Sequence, residues 1–202
     1  MNKIMKYNRE QLLATRLNNF LCNSLKLPQT DYYGNLTTEK IIGLKAFLSD
    51  INNIVTLRLS MRFSEWLKRE LGINQEIFDT IQSQIKQTKP NTNGYDIEYT
   101  SDVLKLIAEV KCNVPINEKD RFGSAQKNGI RKDLNGLLHG KSKSNIDMIK
   151  YLKFLVLYDT DTMRLAMKSF HNRLPAEIKK RVILSTTSFD DPQNVYVIFL
   201  KA

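Results

Sequence analysis

Asp96, Glu109 and Lys111 are the residues of this chain whose types and spacing could do chemistry. Glu109 and Lys111 flank Val110, and Asp96 precedes Glu109 by thirteen positions. Carboxylates brought together repel and raise each other's pKa unless a cation neutralises them. A hard divalent ion such as Mg²⁺ needs few carboxylates, keeps several waters and accepts phosphate oxygens. Such an ion polarises a phosphate and lowers the pKa of an attacking water. A neighbouring lysine can orient that water and offset charge in the transition state. The set suits phosphodiester hydrolysis, provided the chain folds so that the three side chains meet.

The flanking pattern supplies a means. Residues 94–99 and 103–112 read as strands, and the short stretch Thr100, Ser101, Asp102 between them predicts a hairpin. Side chains alternate along a strand, so Leu104, Leu106, Ala108, Val110 and Cys112 share an apolar face that must be core. The opposite face carries Val103, Lys105, Ile107, Glu109 and Lys111. In the preceding strand Tyr95, Ile97 and Tyr99 alternate with Asp96 and Glu98, and closing the hairpin brings Asp96 beside Glu109, with Glu98 nearby.

Downstream, 113–123 reads as a polar loop and 124–138 as a helix with Ile130, Leu134, Leu137 and Leu138 inward and Gly140 after its end. Residues 148–158 form a strand ending in a continuous apolar run, as a central position requires. A helix over 160–172 and a strand over 195–200 follow, with 176–184 readable either way. Upstream, helices are expected over 9–25, from Thr38 onward, over 53–71 with Gly72 ending it, and after Asn74. The run from Lys89 to Gly94 then breaks the pattern. The expected fold class is α/β, a mixed central sheet flanked by helices, with an N-terminal helical region over 1–90 and the sheet domain over 91–202.

A net charge of +10 is compatible with a polyanionic partner. Between Lys119 and Lys143 seven basic residues face only Asp120 and Asp133, which points to a phosphate-facing surface. Arg121, Lys127, Arg131, Lys132, Lys141 and Lys143 are its candidate nucleic-acid contacts. The two cysteines, Cys22 and Cys112, and the two histidines, His139 and His171, lie in no zinc-like spacing. Gly140 to Ser144 lacks the upstream glycine spacing of a P-loop, and Asp159 to Asp161 reads as a helix start. No apolar stretch is long enough for a membrane span and no signal-type run follows the basic N-terminus, so a cytoplasmic protein is expected.

Asp96 followed by Glu109-Val110-Lys111 on paired strands, then a helix and another strand, resembles the PD-(D/E)xK nuclease superfamily, which includes many type II restriction endonucleases. The resemblance covers roughly residues 94–158. It implies a restriction-endonuclease-like core, Asp96 and Glu109 as metal ligands with the Val110 carbonyl, and Lys111 as the water-positioning residue. It adds Gln126, at the opening of the next helix, to the candidate DNA contacts. It further implies Mg²⁺ as cofactor, double-stranded DNA as substrate and a homodimer for a palindromic target. Tyr95 stands where the family usually has proline. The other acid-x-lysine triplet, Glu177-Ile178-Lys179, has no acidic strand beside it. A repair or recombination nuclease on the same core, or a basic nucleic-acid-binding protein without catalysis, are the alternative expectations.

Overall fold

The computed structural model describes residues 7–89, 94–115, 120–141 and 146–202. It is an α/β protein with a five-stranded mixed sheet flanked by helices. The chain divides into two compact units, Met1–Asp50 and Ile51–Ala202. The sequence breaker near residue 90 suggests a later boundary, but 51–89 packs against the sheet and belongs to the second unit.

In the first unit, α1 (Arg9–Asn19) starts at Asn8, whose side chain accepts from the Gln11 N–H, and runs into a π-helical turn, Phe20–Ser24. The helices expected from Thr38 and over 53–71 are one helix, α2 (Thr38–Glu70). Nothing between Leu44 and Glu70 breaks it, since that stretch has neither proline nor glycine and Asn52 and Asn53 are only weak helix formers. Among the described residues no helix is long and apolar enough to cross a membrane.

In the second unit, α3 (Gln75–Gln87) starts at Asn74, whose side chain accepts the Ile77 N–H. The hairpin strands are β1 (Ile97–Thr100) and β2 (Lys105–Lys111), each shorter than the alternation suggests. Val103 is left exposed ahead of β2. Helix α4 (Ser124–His139) crosses to β3 (Leu152–Tyr158), which a 3₁₀ turn, Met148–Lys150, precedes where strand was expected. Helix α5 (Asp161–His171) begins at Thr160, whose hydroxyl accepts the Met163 N–H. The ambiguous 176–184 segment resolves into α6 (Ala176–Arg181) and a two-residue strand, β4 (Val182–Ile183). β5 (Val195–Leu200) completes the sheet.

The strand order is β1-β2-β3-β5-β4, with β1 antiparallel to β2 and the other pairs parallel. β3 thus sits in the middle, and its Phe154 to Leu157 run is buried on both sides. Alternation sorts the strands into two cores. Leu106, Ala108, Val110, Phe154, Val156, Tyr196 and Ile198 pack with α3 and the second half of α2. Ile107, Leu155, Leu157, Val195 and Val197 pack with α4 and α5. The face of β2 that carries Glu109 and Lys111 is therefore covered by helices.

Candidate active site

Continuing the β1–β2 register, Ile97 opposite Ala108, by one residue sets Asp96 opposite Glu109. Asp96 lies just ahead of β1 and its Oδ2 accepts the Val110 N–H at 2.7 Å. That bond ties the first carboxylate to the backbone between Glu109 and Lys111. Tyr95 does not continue the strand. It turns to the α4 side, where its hydroxyl donates to the Gly136 carbonyl at 2.9 Å, while Ile97 and Tyr99 belong to the other core. Glu98 follows the strand but stays exposed, at the sheet edge.

Glu109 is 3% exposed, so β2 carries a carboxylate into the interior. Its Oε1 pairs with the Lys141 ammonium, and Lys141 also donates to the Gly94 carbonyl. Lys111 pairs through Nζ with Asp133 Oδ2 at 3.0 Å, from α4. Two carboxylate–lysine pairs thus stand side by side at the β2 end of the α4–sheet layer, with Asp96 next to both.

The electrostatics follow from burial and crowding. Burial, and then the Asp96 carboxylate, push Glu109 up to about 7, against the pull of Lys141. Burial likewise raises Asp133 above the usual carboxylate range, against the pull of Lys111. Burial alone would lower Lys111, but Asp133, Asp96 and Glu109 outweigh it, and its ammonium ends above its ordinary value. Glu109 Oε1 and Asp133 Oδ2 are both buried. A lysine ammonium reaches each of these oxygens, Lys141 on Glu109 Oε1 and Lys111 on Asp133 Oδ2. A buried carboxylate is costly unless a cation stays paired with it.

Helix α4 builds the other wall. Gln126 Oε1 accepts the Gly123 N–H at 3.2 Å, and its amide donates to the Val114 carbonyl at 2.9 Å, which pins the loop leaving β2 to the start of the helix. At the helix end, Gly140 adopts φ 89° and donates its N–H to Gly136, conditions that favour glycine. The turn sends Lys141 back over α4. A Cβ on Gly136 would meet Lys141 Cγ at 3.3 Å, so the glycine lets the lysine stem lie close. The ammonium then stands 4.7 Å from the Tyr95 ring centroid. A cavity of about 240 Å³ opens beside this cluster, lined by Lys111, Gln126, Gly129, Leu157 and Met163 among others.

Asp96, Glu109, Lys111 and the Val110 backbone thus come together in the structure, with Gln126 on the same cavity as Lys111. The other basic candidates divide. Arg121, Lys127, Arg131 and Lys132 lie on the outer side of α4 and its approach, partly or fully exposed. Lys141 is turned inward onto Glu109, and Lys143 lies outside the described residues. Sequence reasoning missed Asp133, counting it only as a charge within a basic run. Its spacing from Ile130, Leu134 and Leu137 put it on the inward side of the helix, a signal that was available. Nothing local in the sequence points to Lys141 as the partner of Glu109.

Among the described residues, no three His, Cys, Asp or Glu side chains gather in an arrangement that would hold a metal ion. Asp96, Glu109 and the Val110 carbonyl would offer a cation hard oxygens, few in number. That suits Mg²⁺, which takes much of its shell from water and phosphate, and does not suit zinc. Comparison with family models, curated proteins and solved structures returns no match for this chain.

Proposed function

We propose that this protein is a metal-dependent endonuclease acting on double-stranded DNA, built on a restriction-endonuclease-like core. One observation carries the reading. Asp96, just ahead of β1, shares one corner with Glu109 and Lys111 of β2, where Asp96 accepts the Val110 N–H and Glu109 is 3% exposed. The hairpin, the α4 crossover and the parallel β2–β3 pair are the elements that the PD-(D/E)xK resemblance leads one to expect.

Asp96, Glu109 and the Val110 carbonyl would hold Mg²⁺, which supplies charge to a phosphate and acidity to a bound water. The chain's own groups do the rest. Asp133 fixes the Lys111 ammonium at the mouth of the cavity, where it orients a water and offsets developing charge. Gln126 holds the loop after β2 against α4 and so sets the cavity's width. Lys141 keeps Glu109 neutralised until another cation takes that role. A type II restriction enzyme, acting as a homodimer on a palindromic site, is the favoured form, and a repair or recombination nuclease is the same chemistry on another DNA structure.

A second reading has an observation of its own. Glu109 and Asp133 each already face a lysine and Asp96 accepts the Val110 N–H, so each carboxylate has a partner without a metal, as in a purely structural network of a basic DNA- or RNA-binding protein. Supercoiled plasmid incubated with Mg²⁺ separates the two. Nicking that needs the metal and disappears in both Glu109→Ala and Lys111→Ala supports the nuclease. Salt-sensitive DNA binding with no cleavage of plasmid, branched or single-stranded substrates supports the binding protein. Discrete bands from linear DNA would mark restriction.

A further inference from the structure

Beyond the carboxylate corner, a second concavity lies on the outer side of α4. Arg121 from the approach to α4, Lys127 and Arg131 one turn apart on α4, and Arg173 just past α5 surround a hollow of about 230 Å³. Phe122, Ala166 and Phe170 form its floor, all buried, with the two rings edge to face at 6.1 Å. Ser169 supplies a hydroxyl to the wall.

What sets this hollow apart is its charge. Four of its eight lining residues are cations and none is an acid. Inward-turned cations of the neighbouring corner are each paired with a carboxylate, Lys111 with Asp133 and Lys141 with Glu109. Among the described residues, none of the four cations here makes an ion pair with an acid. Asp120 lines the neighbouring shallow surface, which Arg121 and Arg173 also border together with Lys168, and does not line this hollow. Four like charges drawn together from three segments over an apolar floor repel, and an anion seated among them removes that cost. Guanidinium groups match phosphate oxygens in bidentate fashion, and three of the four cations are arginines.

We propose that this α4–α5 hollow is a phosphate-binding subsite that grips the DNA backbone away from the carboxylate corner. The assignment rests on the nuclease reading only for its substrate. The chemistry it recognises is the tetrahedral phosphate. Arg121, Lys127 and Arg131 stand out in the sequence as basic residues, but Arg173, which closes the hollow from α5, does not.

The test is binding without cleavage. Duplex DNA affinity is measured in chelator across a salt series for the wild type, Arg131→Gln, Arg173→Gln and Lys132→Gln. Lys132 is an exposed cation of α4 outside the hollow and controls for charge alone. The two hollow variants are expected to lose roughly tenfold in affinity. They should also flatten the salt dependence by about 0.9 in log–log slope for each phosphate no longer neutralised, with Lys132→Gln well short of both effects. Inorganic phosphate is the second arm. If it competes with DNA in the wild type and not in Arg131→Gln/Arg173→Gln, the subsite takes free phosphate as well. If it does not compete while the hollow variants still lose affinity, the subsite reads backbone phosphodiester. Equal small losses in all three single variants, with unchanged unfolding midpoints, overturn the proposal. Because no cleavage is measured, loss of the nuclease reading in the plasmid assay leaves this result standing.

Discussion

The sheet's two faces treat polar groups in opposite ways. On the α2–α3 side, Phe63 and Trp66 stack at 5.6 Å, Trp66 meets Phe154 edge-on and Phe63 meets it tilted, and Phe189 and Tyr196 extend the same aromatic cluster. The buried polar side chains there, Ser60 and Ser64, are neutral, and each donates to a carbonyl of its own helix. On the α4–α5 side the sheet carries charge at both ends. Glu109 and Lys111 stand at one, and Lys153 at the other, 1% exposed and donating to the Met148, Tyr151 and Pro192 carbonyls. Burial, and next the Arg181 guanidinium, pull Lys153 down to about 8. A strand with period two can thus hold the fold with one face and expose chemistry to a helix layer with the other. If that division is real, substitutions on the two faces should fail in different ways.

The largest expected effect lies on the closed face. Phe154→Ala removes the ring that Phe63, Trp66, Phe189 and Tyr196 all touch and should cost about 3–5 kcal/mol. Urea unfolding followed by the fluorescence of Trp66 would measure it. A loss under about 1 kcal/mol would mean that the aromatic cluster is not what holds the sheet.

On the charged face the sign should reverse. Glu109→Gln keeps the shape and removes the charge. Glu109 is raised from 4.5 to about 7 on folding. Between those values the native state binds more protons than the unfolded chain, so stability falls as pH rises through the window, and the cost of the buried carboxylate is fully present above about 7. In chelator near pH 8 the variant should match or exceed the wild type, by up to about 3 kcal/mol. The gap should close toward pH 4.5. A Glu109→Gln protein less stable than the wild type near pH 8 would show that the Lys141 pair is a net source of stability and that the two faces behave alike.

Asp133→Asn sharpens the same contrast. Lys111 loses the carboxylate that holds it but can still reach solvent, and the buried charge of Asp133 is removed as well, so the net change in stability should stay within about 1 kcal/mol. On the nuclease reading the turnover rate should drop roughly tenfold or more, with little change in DNA affinity, because a mis-set lysine no longer orients water. An equal loss of affinity and rate would make Asp133 a structural residue alone.

How much of this was legible depends on the range of the interactions. The β1–β2 hairpin and its register could be read from residues 94–112, because alternation and a short turn are local. The helix caps at Asn74 and Thr160 are local too. So was the meeting of Asp96, Glu109 and Lys111, since a hairpin fixes which side chains are opposite. The partners of those residues were not legible. Asp133 and Lys141 reach the corner from α4 and its C-terminal turn, and only tertiary packing decides that they do. The same holds for Arg173, which joins Arg131 across two helices. Tyr95 misled for a different reason. Its spacing fits the strand, but a buried hydroxyl must find an acceptor, and the Gly136 carbonyl draws it to the other face.

That tyrosine gives the smallest predicted effect and the finest test of the division between faces. Tyr95 crosses from the β1 approach to α4, where its ring lies under the Lys141 ammonium. Burial pushes its phenol up to about 12, so the hydroxyl stays protonated, a donor, across any ordinary pH. Tyr95→Phe keeps the ring beneath Lys141 and removes only the bond to Gly136, at a cost of about 1 kcal/mol. If Tyr95 serves the charged corner only as a ring, the variant's stability difference from the wild type should be the same near pH 5 and pH 8. If the hydroxyl also holds α4 at the distance the Lys141–Glu109 pair needs, the Glu109 titration will shift, and the two differences will diverge. Finding them equal limits the tyrosine's part in the corner to its ring.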